Sequence, residues 1–196
     1  MSARRRPYLV AALVACALLG VGAWAASATW APERALRLLA GTGWSALGAL
    51  LLSLCASPLG VLVRRLTRRR VPVAPWRRLA GIAAAVLATV HGGIALSTYL
   101  VDAWAHIFSI AWLRAGASAL LVLSALWLTS YPRVTRALRI QHWKALHRLA
   151  YVAGLLAFQH AILAPFTPRP WVLAVFGLTL VLSLFRLLPR PKRDIE

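Results

Sequence analysis

Six apolar stretches, each close to the length of a bilayer-spanning helix, dominate the sequence. A helix needs about 20 apolar residues to cross the hydrocarbon core of a membrane, because each residue rises only about 1.5 Å. None of the six stretches is interrupted by an acidic residue. We therefore predict an all-α integral membrane protein, a six-helix transmembrane bundle that forms a single domain over residues 1–196. The predicted spans are Tyr8–Ala26, Gly43–Val63, Arg78–Tyr99, Trp112–Tyr131, Ala145–Ala164 and Trp171–Leu188.

The basic residues are distributed unevenly between the two ends of these spans. The chain has 23 lysines and arginines against four acidic residues, and its formal net charge is +19. Nineteen of the 23 basic residues lie on the side that holds both termini and the second and fourth loops. Because lysine and arginine accumulate in cytoplasmic loops, this asymmetry predicts that both termini are cytoplasmic. It also explains the net charge without a nucleic-acid partner.

The N-terminal part of the chain allows two interpretations. The first span has a basic start, an apolar centre and small residues near its end, which is also typical of a secretory signal peptide. Its apolar run is long for a signal peptide, and removal of one span would invert the charge pattern. We therefore expect a retained helix, with a cleaved signal as the alternative. The next segment, Pro32–Ala40, has helical spacing and is predicted to lie along the outer membrane interface.

Two histidines lie deep within predicted spans, His91 in the third and His160 in the fifth. These two spans run in the same direction. His91 lies 13 residues beyond Arg78, and His160 lies 12 residues beyond Arg148. At about 1.5 Å per residue the two imidazoles are therefore at nearly the same level, in the outer half of the bilayer. Paired imidazoles on facing helices are what a b-type haem needs as axial ligands, and the two glycines after His91 leave room for a porphyrin face.

Other readings of the buried histidines remain open. A single membrane histidine often forms an interhelical hydrogen bond, and a cofactor-free membrane scaffold would use its histidines in this way. A proton relay usually needs carboxylates, which the spans lack. Zinc requires a third or fourth protein ligand. The sequence has no dinucleotide-binding fingerprint and no phosphate-binding loop, so any chemistry has to take place within the bundle or at its edges.

His147 lies at a second depth in the predicted bundle. It lies 13 residues before His160, about 20 Å nearer the predicted cytoplasmic side. On an ideal helix the two side chains are about 140° apart, so both can face the bundle interior only if the helix bends. Arg77 and Arg78 stand at this level on the third span in place of a histidine. His147 is predicted to mark an inner redox site, either as a ligand of an incompletely ligated site or as a contact to a head group.

Four arginines near span ends are candidates for binding the acidic groups of a cofactor. Three of them are on the cytoplasmic side and could neutralise haem propionates, a flavin or a quinone head group, and the fourth is at the outer edge of the fourth span. The alternative for each is topology signalling or snorkelling. His106 and His142 are predicted to lie in loops. The four candidate arginines are Arg77, Arg78, Arg148 and Arg114.

Several segments carry a resemblance to a known family. They are RRLAGIAAAVLATVH (Arg77–His91), ALWLTSYPRVTRAL (Ala125–Leu138) and HWKALHRLAYVAGLLAFQH (His142–His160). In these segments the chain resembles the ferric-reductase-like transmembrane family. Within that family it is most similar to the haem-binding membrane subunits of methionine sulfoxide reductase systems, whose second helix resembles Thr42–Arg65. It departs from their pattern at Ser57-Pro58, where Thr-Pro is usual, and at the glycine pair after His91.

The resemblance implies a six-helix cytochrome b that carries electrons across the bacterial inner membrane. Its haem histidines would be His91, His147 and His160, which would hold the iron of one or two haem b groups, with FMN and a quinone as further candidate cofactors. Electrons would come from quinol or a cytoplasmic flavin reductase and pass to a periplasmic molybdopterin-containing catalytic subunit that repairs oxidised protein methionine. The chain would then be an electron-transfer subunit and not a stand-alone enzyme. A ferric or quinone reductase of the same fold with another acceptor is the alternative.

Overall fold

The computed structural model describes residues 6–68 and 72–184, and helices make up most of this part of the chain. A short 3₁₀-helix at Trp104–His106 lies in the loop between the third and fourth α-helices. The α-helices in chain order are α1 (Arg6–Ala26), α2 (Ala31–Thr67), α3 (Val73–Thr98), α4 (Ala111–Leu128), α5 (Pro132–Ala137), α6 (Ile140–His147), α7 (Leu149–Leu163) and α8 (Arg169–Leu184).

Among the described residues, five helical segments are long and apolar enough to cross a membrane, and they correspond to the first five predicted spans. They are Tyr8–Ala26, Ala31–Thr67, Val73–Thr98, Ala111–Leu128 and Ile140–Leu163. The apolar helix α8 has only 16 described residues, and the predicted sixth span, Trp171–Leu188, extends beyond the described part of the chain. The protein is therefore an all-α, multi-pass membrane protein. The sixth span and the cytoplasmic position of both termini stay predictions.

Helix α2 is longer than the span predicted for it. Pro32–Ala40, predicted as a separate interfacial segment, is continuous with Gly43–Val63 in one helix of 37 residues. Pro32 does not interrupt this helix because it lies in the first turn, where its fixed φ suits the helix and no N–H is needed. Pro58 lies in the interior, and the helix continues past it. At about 1.5 Å per residue α2 is roughly 55 Å long, nearly twice the thickness of the hydrocarbon core.

The bundle is organised around two antiparallel helix pairs, α2 with α3 and α4 with α7. Fewer contacts join one pair to the other, and α1 and α8 pack on the outside. The centre of the core includes Leu50, Leu123 and the two alanines Ala84 and Ala153, neither of which is exposed at all. Small side chains let helix backbones approach closely. This close packing favours association of the helices in lipid, where the hydrophobic effect does not drive helices together.

The fifth predicted span, Ala145–Ala164, is divided between α6 and α7 at Arg148. The backbone N–H of Arg148 bonds the carbonyl of Ala145, and that of Tyr151 bonds the carbonyl of Arg148, so both bonds have three-residue spacing. Such 3₁₀ turns are tighter than an α-helix and alter the angular relation of the residues on either side. The helix is therefore irregular directly after His147. A bend between His147 and His160 is what the sequence requires if both side chains are to face the interior of the bundle.

Candidate functional site

His91 of α3 and His160 of α7 meet in the space between the two helix pairs. Their ring centroids are 6.0 Å apart and the ring planes are inclined at 78°, so the two imidazoles lie at one level, as the residue count predicts. Two rings bonded to one metal ion at about 2.0–2.1 Å from opposite sides, each nitrogen about 1 Å from its centroid, have centroids about 6 Å apart. The spacing of the pair therefore fits two axial ligands of a single iron.

Each ring of the pair is held by a backbone carbonyl. His91 Nδ1 lies 3.0 Å from the carbonyl oxygen of Leu39 in α2, and His160 Nδ1 lies 2.8 Å from that of Trp112 in α4. A carbonyl oxygen can only accept, so Nδ1 carries the proton in both rings and Nε2 of the neutral ring keeps its lone pair. A metal-ligating histidine is oriented in the same way, by a hydrogen bond from its second nitrogen.

A glycine lies against each ring of the pair. A Cβ atom added at Gly43 of α2 would be 2.9 Å from Cε1 of His91, and one added at Gly116 of α4 would be 2.7 Å from Nδ1 of His160. Real Cβ atoms essentially never approach other atoms so closely. The two imidazoles therefore occupy space that only glycine leaves free.

The glycine pair after His91 does not act as one unit. A Cβ added at Gly93 would meet nothing within 4 Å, whereas one added at Gly92 would be 3.2 Å from a methyl group of Leu120 in α4. Gly93 is exposed and borders open space, so whether it makes room for a porphyrin face stays a prediction. Gly92 instead serves the close approach of α3 to α4.

The donor set of the pair suits haem better than zinc. Within residues 6–68 and 72–184 no group of three or more histidine, cysteine, aspartate or glutamate side chains could hold a metal ion. Zinc sites use three or four protein ligands, whereas a haem takes its axial ligands from the protein and brings its own equatorial nitrogens. The indole of Trp112, 5.8 Å from the His160 ring, adds an aromatic wall beside the pair.

His147 lies at the second level, where α4 ends and α3 begins. Its ring stacks on Trp143 with the centroids 4.1 Å apart, and its Nε2 is 3.4 Å from the hydroxyl of Ser130. Nδ1 is buried and makes no hydrogen bond of good geometry among the described residues, although the ring interacts weakly with the Trp143 backbone. The positive charges of Arg77 and Arg78 act on this ring. The structure thus brings two of the four candidate arginines to His147 and none of them to the paired histidines.

The candidate arginines have different surroundings. Arg78 donates a hydrogen bond from Nη2 to the carbonyl of Ser130, just after α4, and so ties α3 to α4. Arg114 is exposed and donates to the carbonyl of Phe108 in the preceding loop, 3.3 Å away. Arg148 is exposed at the junction of α6 and α7. These last two therefore lie at the surface, where they can reach head groups but not the interior of the bundle.

Sequence reasoning placed some residues correctly and missed others. His106 and His142 are exposed, as predicted, but His142 lies in helix α6 and not in a loop. Gly43 and Gly116 were missed as neighbours of the paired histidines, and so was the hydroxyl of Ser130 beside the His147 ring. The sequence does contain a signal for the two glycines. In each helix pair the glycine lies on the first helix and the histidine lies on the second. Matching them to the histidines, however, requires the relative offset of the helices, which single-sequence patterns do not provide.

Comparison with known proteins identifies the family of this chain. The family model described as the ferric reductase like transmembrane component matches residues 42–158, which is more than half of the chain. The chain belongs to this family. The matched segment begins in α2, contains His91 and His147, and ends in α7 two residues before His160.

Two bacterial relatives share more than a third of their aligned residues with this chain. Both carry the name protein-methionine-sulfoxide reductase heme-binding subunit MsrQ. The protein from Xanthomonas axonopodis pv. citri is 37% identical over 123 residues, which cover 61% of this chain and 54% of the relative. The protein from Deinococcus radiodurans is 34% identical over 122 residues, which cover 61% of this chain and 58% of the relative. The similarity thus spans little more than half the length of these curated relatives.

Proposed function

We propose that this chain is a b-type cytochrome subunit in which His91 and His160 are the axial ligands of one haem. The observation that carries the proposal is the ring pair itself, with centroids 6.0 Å apart and both Nδ1 atoms bonded to carbonyls. The two Nδ1 bonds are themselves interhelical hydrogen bonds, and they leave Nε2 of each ring with a lone pair that a metal can accept. The name of the relatives, a heme-binding subunit, agrees with this proposal.

Haem supplies one-electron chemistry, because its iron alternates between the ferric and ferrous states. The residues of this chain control that chemistry in two ways. The carbonyls of Leu39 and Trp112 draw on the Nδ1 protons, which makes each imidazole a stronger donor and favours the ferric state. The apolar helices around the pair keep water away, and this disfavours the more highly charged state. The balance of these two effects sets the reduction potential.

The level of His147 is the proposed inner redox site. Its buried Nδ1 makes no hydrogen bond of good geometry and has only a weak interaction with the Trp143 backbone, which supports a bound group here, because buried polar atoms in proteins are nearly always satisfied. That group is a second haem, a flavin such as FMN, or a quinone. The charges of Arg77 and Arg78 would stabilise its propionates or its anionic reduced form. Arg148 and Arg114 would contact acidic head groups at the two membrane surfaces.

The charge asymmetry of the sequence supports a proposed orientation of the two sites in the membrane. With both termini in the cytoplasm of a bacterial cell, His147 lies toward the inner face of the inner membrane, and the paired histidines lie in its outer half. Quinol or a cytoplasmic flavin reductase would then reduce the inner site, about 20 Å from the pair. The paired-histidine haem would pass electrons to a periplasmic molybdopterin-containing subunit that reduces methionine sulfoxide in proteins; of this, the name of the relatives supports a protein-methionine-sulfoxide reductase.

A reduced-minus-oxidised spectrum of the purified protein, with haem quantitation per chain, tests the proposal. The wild-type protein is expected to show a b-type spectrum, and His91→Ala or His160→Ala is expected to lose the haem of the pair, one haem per chain, with expression retained. His142→Ala is the matched control, because His142 is exposed. A colourless protein from haem-replete cells would refute the haem proposal. Reoxidation by a ferric chelate, without reoxidation by a sulfoxide-reducing partner, would refute only the proposed acceptor.

A further inference from the structure

His91 rests against α2 in a particular local arrangement. Its Nδ1 donates to the carbonyl of Leu39, and the ring lies against Gly43, four residues later in the same helix. Residues four apart lie on one face of a helix, and a side chain leans toward the N-terminus, over the preceding turn. Any side chain at Gly43 would therefore cover the carbonyl that His91 uses. The glycine leaves that carbonyl open to a donor from another helix.

His160 repeats the arrangement on the other helix pair. Its Nδ1 donates to the carbonyl of Trp112, and its ring lies against Gly116, again four residues later. We call this combination, a carbonyl at one position and a glycine four residues beyond it, a carbonyl–glycine cradle. In both pairs the cradle is on the first helix and the histidine is on the second.

We propose that Gly43 and Gly116 are positioning residues that set the tautomer and the angle of the two haem-ligating rings. This inference rests on the proposed function. Ordinary Cβ contacts begin at 3.4 Å, so an alanine would have to displace the ring of His91 by about 0.5 Å and that of His160 by about 0.7 Å. Such displacements would lengthen the Nδ1–H···O bonds and change the inclination of 78° between the rings.

Gly43→Ala and Gly116→Ala in the full chain test the inference. Loss of a hydrogen bond that orients a metal ligand typically lowers metal affinity about 10–100-fold. We expect haem loss to an excess of an apo-globin scavenger to be about 10–100-fold faster in both variants. The low-spin ferric electron paramagnetic resonance signal, which depends on the angle between the axial rings, is expected to shift as well. A substitution that affected only helix stability would not move this signal.

Gly48→Ala is the matched control, because Gly48 is also in α2, is exposed, and has nothing within 4 Å of an added Cβ. Alanine favours a helix over glycine, so all three variants gain helix propensity and only the cradle variants are expected to lose haem. Unchanged haem loss and resonance signal in both cradle variants would overturn the inference and leave the proposed function standing. A wild-type protein without haem would overturn both. If Gly116→Ala does not accumulate, Gly43→Ala decides, since its displacement is the smaller one.

Discussion

Replacement of His147 by phenylalanine is expected to leave the stability of the protein unchanged or raised while it impairs electron transfer. The polar contacts of His147 are weak: Nδ1 makes no hydrogen bond of good geometry and only approaches the Trp143 backbone, and Nε2 lies 3.4 Å from the Ser130 hydroxyl. An unsatisfied buried polar group costs about 1–3 kcal/mol, and a weak neutral hydrogen bond returns less than about 1 kcal/mol. Phenylalanine keeps the aromatic contact with Trp143. The free energy of unfolding is therefore expected to rise by about 0–2 kcal/mol.

Two measurements on the same preparations follow the two expected effects. Chemical unfolding in detergent gives the free energy of unfolding, and stopped-flow absorbance gives the rate at which a quinol reduces the haem of the paired histidines. The variant should retain this haem and its reduction by dithionite, but its reduction by quinol should slow. His142→Phe is the control, because His142 is exposed and also lies in α6. We expect it to change neither quantity.

The reasoning fails if His147→Phe lowers the free energy of unfolding by more than about 1 kcal/mol and leaves the rate of quinol reduction unchanged. That pair of results would mean that the hydroxyl of Ser130 satisfies His147 as an ordinary packing residue. A gain in stability with loss of function is the behaviour of a residue that is kept for its chemistry, since functional sites violate packing rules that the rest of the molecule obeys.

Three further outcomes can be checked with the same preparations. Gly41→Ala should lower the free energy of unfolding by about 1–2 kcal/mol, because its Cβ would lie 2.7 Å from a methyl group of Val21. Val21→Ala in the same chain should remove this penalty, and additive effects would contradict the assigned α1–α2 contact. Arg78→Gln should cost about 1.5–3 kcal/mol through loss of the charged hydrogen bond to the Ser130 carbonyl; unchanged stability would argue against that bond. His106→Ala should leave the haem content as it is, and a loss of haem would place a ligand in that loop.

The positions of the membrane helices could be predicted from the sequence because length and apolarity alone decide which segments enter a bilayer. The common level of His91 and His160 could also be predicted, since it needs only a residue count along two helices of the same direction. The continuity of α2 through Pro32–Ala40 was missed, because polar side chains there suggested an interface. Helix formation depends on backbone hydrogen bonds, and these continue into the aqueous region when no residue breaks them.

The relation between His147 and the arginines was only partly predictable. Residue counting placed Arg77 and Arg78 at the right level, and the structure adds that their charges act on the ring. The stacking on Trp143 and the irregular turn at Arg148 depend on how α6 meets α7. The cradle glycines could not be assigned either, because the offset between antiparallel helices is fixed by side-chain packing along their whole length.

The arrangement of the helices in two pairs also bears on how the protein is assembled in the cell. Each pair is closely packed in itself, whereas His91 and His160 belong to different pairs. A haem bound by both histidines would join two preformed hairpins late in membrane insertion. A ligand that binds only the assembled state stabilises it by about 2.7 kcal/mol when present at 100 times its dissociation constant. The cellular abundance of this protein should then follow the supply of haem, because chains without haem would lack this added stabilisation of the contact between the two pairs.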